Sequence, residues 1–329
     1  MLVTIMSLSR GKHWNLSKSA LPGLILLLLL GWVSLGATQL QHSTGCLEIY
    51  SPEQLSPSML RIADMLEDRI GDFQMKLGIY PSAKVAIHII TSQTEYQKLS
   101  LGKTDIVEFS DAFYSSKDGR IYIRSGDQVE QNYLKILMHE YIHWYLEQLF
   151  RNTPLWFHEG MATYHSGQLG YERYLLYIQQ SFLGKSANLF RTSYQYPVNQ
   201  DDWPHFYLSS AMALRFMEEK HPQAWQTFWN QVAASHRHEI KISFNQAFIS
   251  SYGQSLYDFN QNYEKYSRRQ GYLYLIVGLN SLIFLVLPFI MLLVARKRRQ
   301  RMLKLPDLDL AEDTDPLTET ESRDQEPEL

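Results

Sequence analysis

The segment from Tyr272 to Ala295 constrains the fold of this chain more than any other part. Its 24 residues carry no charge, and a basic run, R-K-R-R-Q-R, follows at Arg296. An apolar stretch of this length is long enough to cross a bilayer as a slightly tilted helix. A buried core helix fits poorly, because apolar residues lie all round the helix and the flanking charges are abrupt. The segment therefore predicts a transmembrane helix near the C terminus.

Basic residues on the two sides of this span predict its orientation. Only Lys265, Arg268 and Arg269 lie shortly before it, whereas a larger group lies after it. That group comprises Arg296, Lys297, Arg298, Arg299, Arg301 and Lys304. Because loops rich in lysine and arginine stay on the cytoplasmic side, the C-terminal tail is predicted to be cytoplasmic.

A second apolar run, Leu21 to Leu35, follows three basic residues at the N terminus. Its length and flanks are typical of a signal peptide or a short signal anchor. Cleavage after Ala37 would place Leu35 at a position that prefers a small residue, so the sequence leaves both alternatives open. With either one, the chain between the two apolar segments is predicted to lie outside the cytoplasm, and the protein is a single-pass or double-pass protein of the cell membrane.

These segments divide the chain into four parts. Residues 1–37 form the signal peptide or anchor, 38–270 an extracytoplasmic domain, 271–295 the transmembrane helix, and 296–329 a cytoplasmic tail that is basic and then acidic. The acidic part has the composition of a disordered segment. Cys46 is the only cysteine, which excludes an intrachain disulfide. The external domain has no basic stripe with interleaved aromatics, and this argues against nucleic acid as a partner.

The stretch M-H-E-Y-I-H-W, Met138 to Trp144, lies inside an amphipathic helical pattern. Residues four apart share one face of a helix, so His139 and His143 can present ring nitrogens to the same point. Two neutral imidazoles at one point suit zinc. Glu140 is rotated by roughly 100° from His139 around the helix axis, which places its carboxylate beside such a metal, in the position of a general base.

A second helical pattern begins almost at once, in T-P-L-W-F-H-E-G-M-A-T-Y. Thr153 is the predicted N-cap and Pro154 the first helical residue. Because the connection is so short, the two helices must be neighbours, and Glu159 on the second can face the histidines on the first. Gly160 beside it allows a close approach of this helix to another element.

Together these two stretches resemble the gluzincin metallopeptidases, and in particular the peptidase MA-like domains, whose pattern is HExxH followed by W-x-x-E-G-x-A. The resemblance is specific from Asp127 to Ser166. It implies that His139, His143 and Glu159 bind Zn²⁺ and that Glu140 is the catalytic base. Three protein ligands leave one tetrahedral position for water, the arrangement of a catalytic zinc site.

The rest of the external domain predicts an α+β, zincin-like fold with a small mixed sheet. Pro57 to Leu77 reads as a helix, with Gly78 as its stop and Leu60, Ala63, Leu66, Ile70, Phe73 and Leu77 on its apolar face. Lys84 to Thr91 reads as a strand. A hairpin is predicted around Lys117 to Gly119, with Asp111 to Ser115 and Arg120 to Ser125 as its two strands. The first of these strands is a candidate edge of the sheet, which either pairs with an extended substrate or is an ordinary edge strand. Asp127 is the predicted cap of the histidine helix, in which Leu134, Leu137, Tyr141, Tyr145 and Leu149 repeat at helical spacing.

Other polar residues receive weaker predictions. The stretch F-Y-L-S-S, Phe206 to Ser210, resembles the helix start from which related gluzincin aminopeptidases supply a tyrosine to the transition state. This resemblance implies that Tyr207 stabilises an oxyanion. The alternative is that Tyr207 is a packed core tyrosine. His205 is a weaker candidate for the same role. His158, His165 and Thr163 are expected near the site without binding metal.

The resulting prediction is a membrane-anchored zinc metallopeptidase in which a metal-activated water and a Glu general base hydrolyse peptide bonds. The G-x-M-E-N segment with which related aminopeptidases hold a free N terminus is absent, which favours an endopeptidase. The alternative is a catalytically silent zincin-like domain that binds or senses ligands while tethered to the membrane. The predicted partners are a peptide or protein substrate and the membrane, and nothing in the sequence indicates an oligomeric state.

Overall fold

The computed structural model describes residues 38–100, 111–125, 130–183 and 188–303. Three predictions fall outside these ranges: the N-terminal apolar run, the Asp127 cap and the acidic tail. The chain divides into two compact units after Tyr272, and the first unit contains the sheet and the candidate site.

A five-stranded mixed sheet forms the first half of this unit. Its strands are β1 (Gln39–Ser43), β2 (Leu47–Ser51), β3 (Val85–Ile90), β4 (Ala112–Ser115) and β5 (Arg120–Arg124), in the spatial order β1-β2-β3-β5-β4. The central strands β2, β3 and β5 are parallel, and β1 and β4 are antiparallel to their neighbours. Ile87 and Ile121 on one face of the central strands and His88 and Tyr122 on the other are all buried, as expected for parallel strands covered on both faces.

Helices make up most of the remaining structure. They are α1 (Pro57–Leu77), α2 (Gln93–Ser100), α3 (Glu130–Leu149), α4 (Leu155–His165), α5 (Tyr171–Leu183), α6 (Trp203–Lys220), α7 (Pro222–Arg237), α8 (Phe244–Tyr252) and α9 (Leu256–Met302). A short parallel pair, β6 (Phe150–Arg151) and β7 (Ile242–Ser243), joins the end of α3 to the start of α8. The predicted α+β class is therefore confirmed.

The predicted hairpin is present immediately before α3 in the described chain. β4 and β5 pair in antiparallel register, and the Gly119 N–H donates to the Ser115 carbonyl at 2.8 Å. Gly119 has a φ of +68°, a backbone conformation that glycine adopts without strain. β4 lies at one edge of the sheet, as predicted for this segment.

Helix α1 has the predicted bounds, and one of its predicted core residues is wrong. Ser56 caps the first turn, and Gly78, with a φ of +69°, ends the helix. Leu60 is 36% exposed, whereas Ile62 is buried. Leu60 lies at the margin of the apolar face, so the helix turns Ile62 rather than Leu60 toward the interior.

Helix α4 begins one residue later than predicted, because Pro154 precedes the helix and Thr153 is not its cap. The Pro154 carbonyl accepts the N–H groups of Phe157 and His158, and no side chain caps the helix. The N–H of Leu155, the first residue of the helix, donates to the carbonyl of Ser193 at 2.6 Å. A tertiary contact therefore provides a hydrogen-bond acceptor for the backbone N–H groups at the helix start, a role that was predicted for a side-chain cap.

At Gly160 helix α4 packs closely against α6. A Cβ atom at this position would lie 2.6 Å from the carbonyl oxygen of Ser210 and 3.2 Å from Leu214 Cγ. The predicted close approach at Gly160 is therefore observed, and its partner is the backbone of α6.

Aromatic side chains from α4, α7 and α8 pack together in one part of the core. Trp156, Phe157, Phe228 and Phe244 are almost completely buried, and their rings contact one another at 4.7–6.3 Å. Trp225 and Trp229 are also buried, so the aromatic stretch from 225 to 229 belongs to the core.

Helix α9 is long and apolar enough to cross a membrane. Its most apolar window has a mean hydropathy of 2.5, and none of that window is buried inside the protein. The predicted segment Tyr272 to Ala295 lies within this helix, and its large apolar side chains are mostly exposed. Within the described residues it is the one candidate span by length and composition.

We expect the substitution Gly160→Ala to destabilise the protein by about 1–3 kcal/mol, because the new methyl group must displace the backbone of α6. Gly71→Ala on α1 is the matched control, since nothing lies within 4 Å of its added Cβ. Alanine in a helix interior should stabilise by about 0.5–1 kcal/mol there. Denaturant unfolding of the full chain in detergent measures both effects; a neutral Gly160→Ala would contradict the tight contact.

Candidate metal centre

Helix α3 presents His139 and His143 on one face. Their rings lie 4.8 Å apart between centroids, and their side chains are only 12% and 14% exposed. The opposite face of α3 is anchored in the core, because Leu134, Leu137, Tyr141, Tyr145 and Leu149 are all buried as predicted. The two imidazoles are therefore held on a rigid element.

Helix α4 places the carboxylate of Glu159 against both imidazoles. Glu159 Oε2 lies 3.4 Å from His139 Nε2 and 3.7 Å from His143 Nε2. Two ligands of one tetrahedral zinc ion, each about 2.0–2.1 Å from it, lie about 3.3 Å apart. The three donor atoms all lie within 4.8 Å of one another, so the predicted trio forms a group that could bind a metal ion.

The charges of this group shift the pKa values of its two histidines in opposite directions: burial acts to lower the pKa of His139, but Glu159 and Glu140 outweigh it and raise this pKa, whereas the pKa of His143 is lowered. Burial acts to raise the pKa of Glu159, but His143, His139 and Tyr196 outweigh it and lower this pKa to about 2. Burial also lowers the pKa of His143 to about 3. A carboxylate and an imidazole with free lone pairs are the forms that ligate metals. Glu159 Oε2 is buried without a hydrogen-bond donor in the described chain, and a metal ion would satisfy it.

Glu140 follows His139 on α3 and is held by the edge of the sheet. Its Oε2 accepts the backbone N–H of Tyr114 on β4 at 2.6 Å, and the residue is buried. Burial raises the pKa of Glu140 to about 7, against the opposing influence of His139 and the Tyr114 N–H. A carboxyl group whose pKa lies near neutrality can both accept and return a proton.

Tyr196 is a residue of this site that sequence reasoning missed. Its hydroxyl donates a hydrogen bond to Glu159 Oε1, the carboxylate oxygen that does not face the histidines. Tyr196 lies 37 residues after Glu159, in the connection between α5 and α6. No periodicity or motif marks this position, so only the tertiary structure could reveal it.

Tyr207 and His205 lie near the start of α6 and have different surroundings. Burial raises the pKa of Tyr207 far above its usual range, and the nearby carboxylates of Glu159 and Glu140 raise it further. Tyr207 thus senses the charges of the candidate centre. His205 Nδ1 contacts Gln180 Oε1 on α5 at 3.1 Å.

The three remaining predicted neighbours have different surroundings, and His158 contacts a member of the trio. His158 Nδ1 is 3.5 Å from His143 Nδ1, and burial lowers the pKa of His158 to about 4. Thr163, one turn after Glu159, is buried, and its hydroxyl has no partner among the described residues. His165 lies farther along α4, with its ring 5.2 Å from that of Phe73.

Comparisons with known proteins do not identify a family for this chain. No family model matches the sequence, and a search of curated proteins finds no matching relative.

We expect His165 to make stability depend on pH. Burial, with Lys76 nearby, lowers the pKa of His165 to about 3 in the folded protein. The unfolded chain therefore binds a proton that the folded chain does not, and stability is lost as pH falls from about 6.5 toward 3, by at most about 1.4 kcal/mol per pH unit. The apolar variant His165→Phe should show a shallower loss in denaturant titrations across this range. Equal slopes for the two proteins would contradict this assignment.

Proposed function

We propose that this chain is a membrane-anchored, zinc-dependent peptidase of the gluzincin type. The observation that carries the proposal is the convergence of His139 Nε2, His143 Nε2 and Glu159 Oε2, with the buried carboxyl of Glu140 beside them. Two imidazoles and one carboxylate are the protein ligands of many catalytic zinc sites. The α+β architecture, with an edge strand packed beside the histidine helix, is compatible with a zincin-like domain.

In this proposal His139, His143 and Glu159 hold the ion. Zinc bound there supplies Lewis acidity, which polarises a peptide carbonyl and lowers the pKa of water. Glu140 accepts a proton from the attacking water and returns it to the leaving amine. The Tyr114 N–H orients one oxygen of Glu140 and leaves the other available for proton transfer.

Strand β4 is the proposed binding site for an extended peptide substrate. It is an edge strand, and its residue Tyr114 contacts the proposed base directly. A peptide that adds to this edge through backbone hydrogen bonds would pass close to Glu140. The half-buried Tyr207, whose pKa is raised by burial and by the charges of Glu159 and Glu140, is the proposed donor to the oxyanion.

The proposed location follows from the apolar segments. Helix α9 anchors the protein, the peptidase domain lies outside the cytoplasm, and the C-terminal tail lies inside, as the distribution of basic residues indicates. A peptide or protein substrate outside the cytoplasm is the corresponding partner.

We expect Glu140→Gln to abolish peptide cleavage, by about 100-fold or more, while zinc still binds, because the amide cannot accept the proton. Glu130→Gln is the matched control, since Glu130 begins the same helix and forms an exposed ion pair with Arg61 at 2.7 Å. The measurement is digestion of a peptide library by the full chain in detergent, with and without a chelator. A wild-type chain that binds zinc but cleaves nothing would instead support a silent binding or sensing domain.

We expect Tyr207→Phe to lower kcat by about 100-fold with zinc affinity unchanged, because only the transition state would use this hydroxyl. Tyr177→Phe is the control, since its hydroxyl donates to the Ser267 carbonyl at 3.2 Å, away from the site. Equal kcat values for Tyr207→Phe and wild type would show that Tyr207 is a packed core residue.

A further inference from the structure

The two carboxylate oxygens of Glu159 have different surroundings. Oε2 faces the two imidazoles, and Oε1 accepts the hydroxyl of Tyr196. The residue is only 3% exposed, so water cannot replace a lost partner of Oε1 easily. The hydrogen bond from Tyr196 therefore fixes the plane of the carboxylate, so that one oxygen faces the histidines and the other faces Tyr196.

The ring of Tyr196 is itself held in place. It packs edge-on against Phe206, with centroids 5.8 Å apart, and against Trp203 at 6.3 Å. Trp203 Nε1 donates to the carbonyl of Pro197 at 2.9 Å, which ties the residue after Tyr196 to the start of α6. A partner held this firmly can orient the group that it binds.

The same segment is tied to the helix that carries Glu159. The Ser193 carbonyl accepts the N–H of Leu155, the first residue of α4, at 2.6 Å. Another bond, from the Leu189 N–H to Asn260 Oδ1 at 2.9 Å, ties the segment to α9. The connection before α6 is thus fixed relative to α4, and the Tyr196 hydroxyl stays within hydrogen-bonding distance of Glu159.

We propose that Tyr196 is a positioning residue for the metal centre, an inference that rests on the proposed binding of zinc by His139, His143 and Glu159. Its hydroxyl locks the rotation of the Glu159 carboxylate so that Oε2 meets the imidazoles. Partners of this kind typically change metal affinity by about 10- to 100-fold. Tyr196 acts through Glu159, whereas Tyr207 is proposed to act on substrate.

The test is the zinc affinity of Tyr196→Phe, measured for the full chain in detergent by competition with a chromophoric chelator. We expect zinc to bind about 10- to 100-fold more weakly than in the wild type. Tyr263→Phe is the control, since it removes a buried tyrosine hydroxyl that donates to the Ser209 carbonyl at 2.9 Å. Its zinc affinity should equal that of the wild type.

Two further variants keep the test decisive if Tyr196→Phe does not fold. Tyr196→Gln and Tyr196→Met have side chains of similar size, but only glutamine carries a hydrogen-bond donor. Glutamine should retain more zinc affinity than methionine. Wild-type affinity in Tyr196→Phe, or equal affinities in this pair, would overturn the inference and leave the proposed function standing. A wild-type chain that binds no zinc would overturn both.

Discussion

The buried carboxylate of Glu159 is the constraint on which the rest of the site depends. An ionised carboxylate removed from water is costly unless charges or hydrogen bonds compensate it. Here the histidines lie on one side of the carboxylate and Tyr196 lies on the other. The fold must therefore bring α3, α4 and the segment before α6 to one point, and each of these elements is fixed by a separate set of contacts.

Those contacts differ in kind from one element to the next. The inner face of α3 is an apolar row, α4 lies against the backbone of α6 at Gly160, and Trp203 and Ser193 hold the segment that carries Tyr196. Glu140 is held by the sheet edge through Tyr114. The sheet, the helices and one connection thus each contribute a group, and the site joins the two halves of the folded domain.

Much of the fold could be predicted because its signals are local. Helix α1 ends at a glycine with positive φ, and the β4–β5 hairpin has a glycine in the turn between its two strands. Local signals failed where a tertiary contact replaced them. Thr153 was predicted as a cap, but the Ser193 carbonyl accepts the N–H of Leu155 at the start of α4. Leu60 was predicted as a core residue, but it lies at the margin of the apolar face of α1 and Ile62 is buried instead.

The sequence alone determined which residues could share a face. The four-residue spacing of His139 and His143, the short link to Glu159 and the uncharged stretch from Tyr272 all follow from helix geometry and chain length. Only the tertiary structure decided that the donor atoms converge at 3.4–3.7 Å, that the Tyr114 N–H binds Glu140 and that Tyr196 binds Glu159. The physical reason is the separation of the residues along the sequence. Helical periodicity relates residues a few positions apart, whereas contacts between residues 26 or 37 positions apart depend on how whole helices and strands pack.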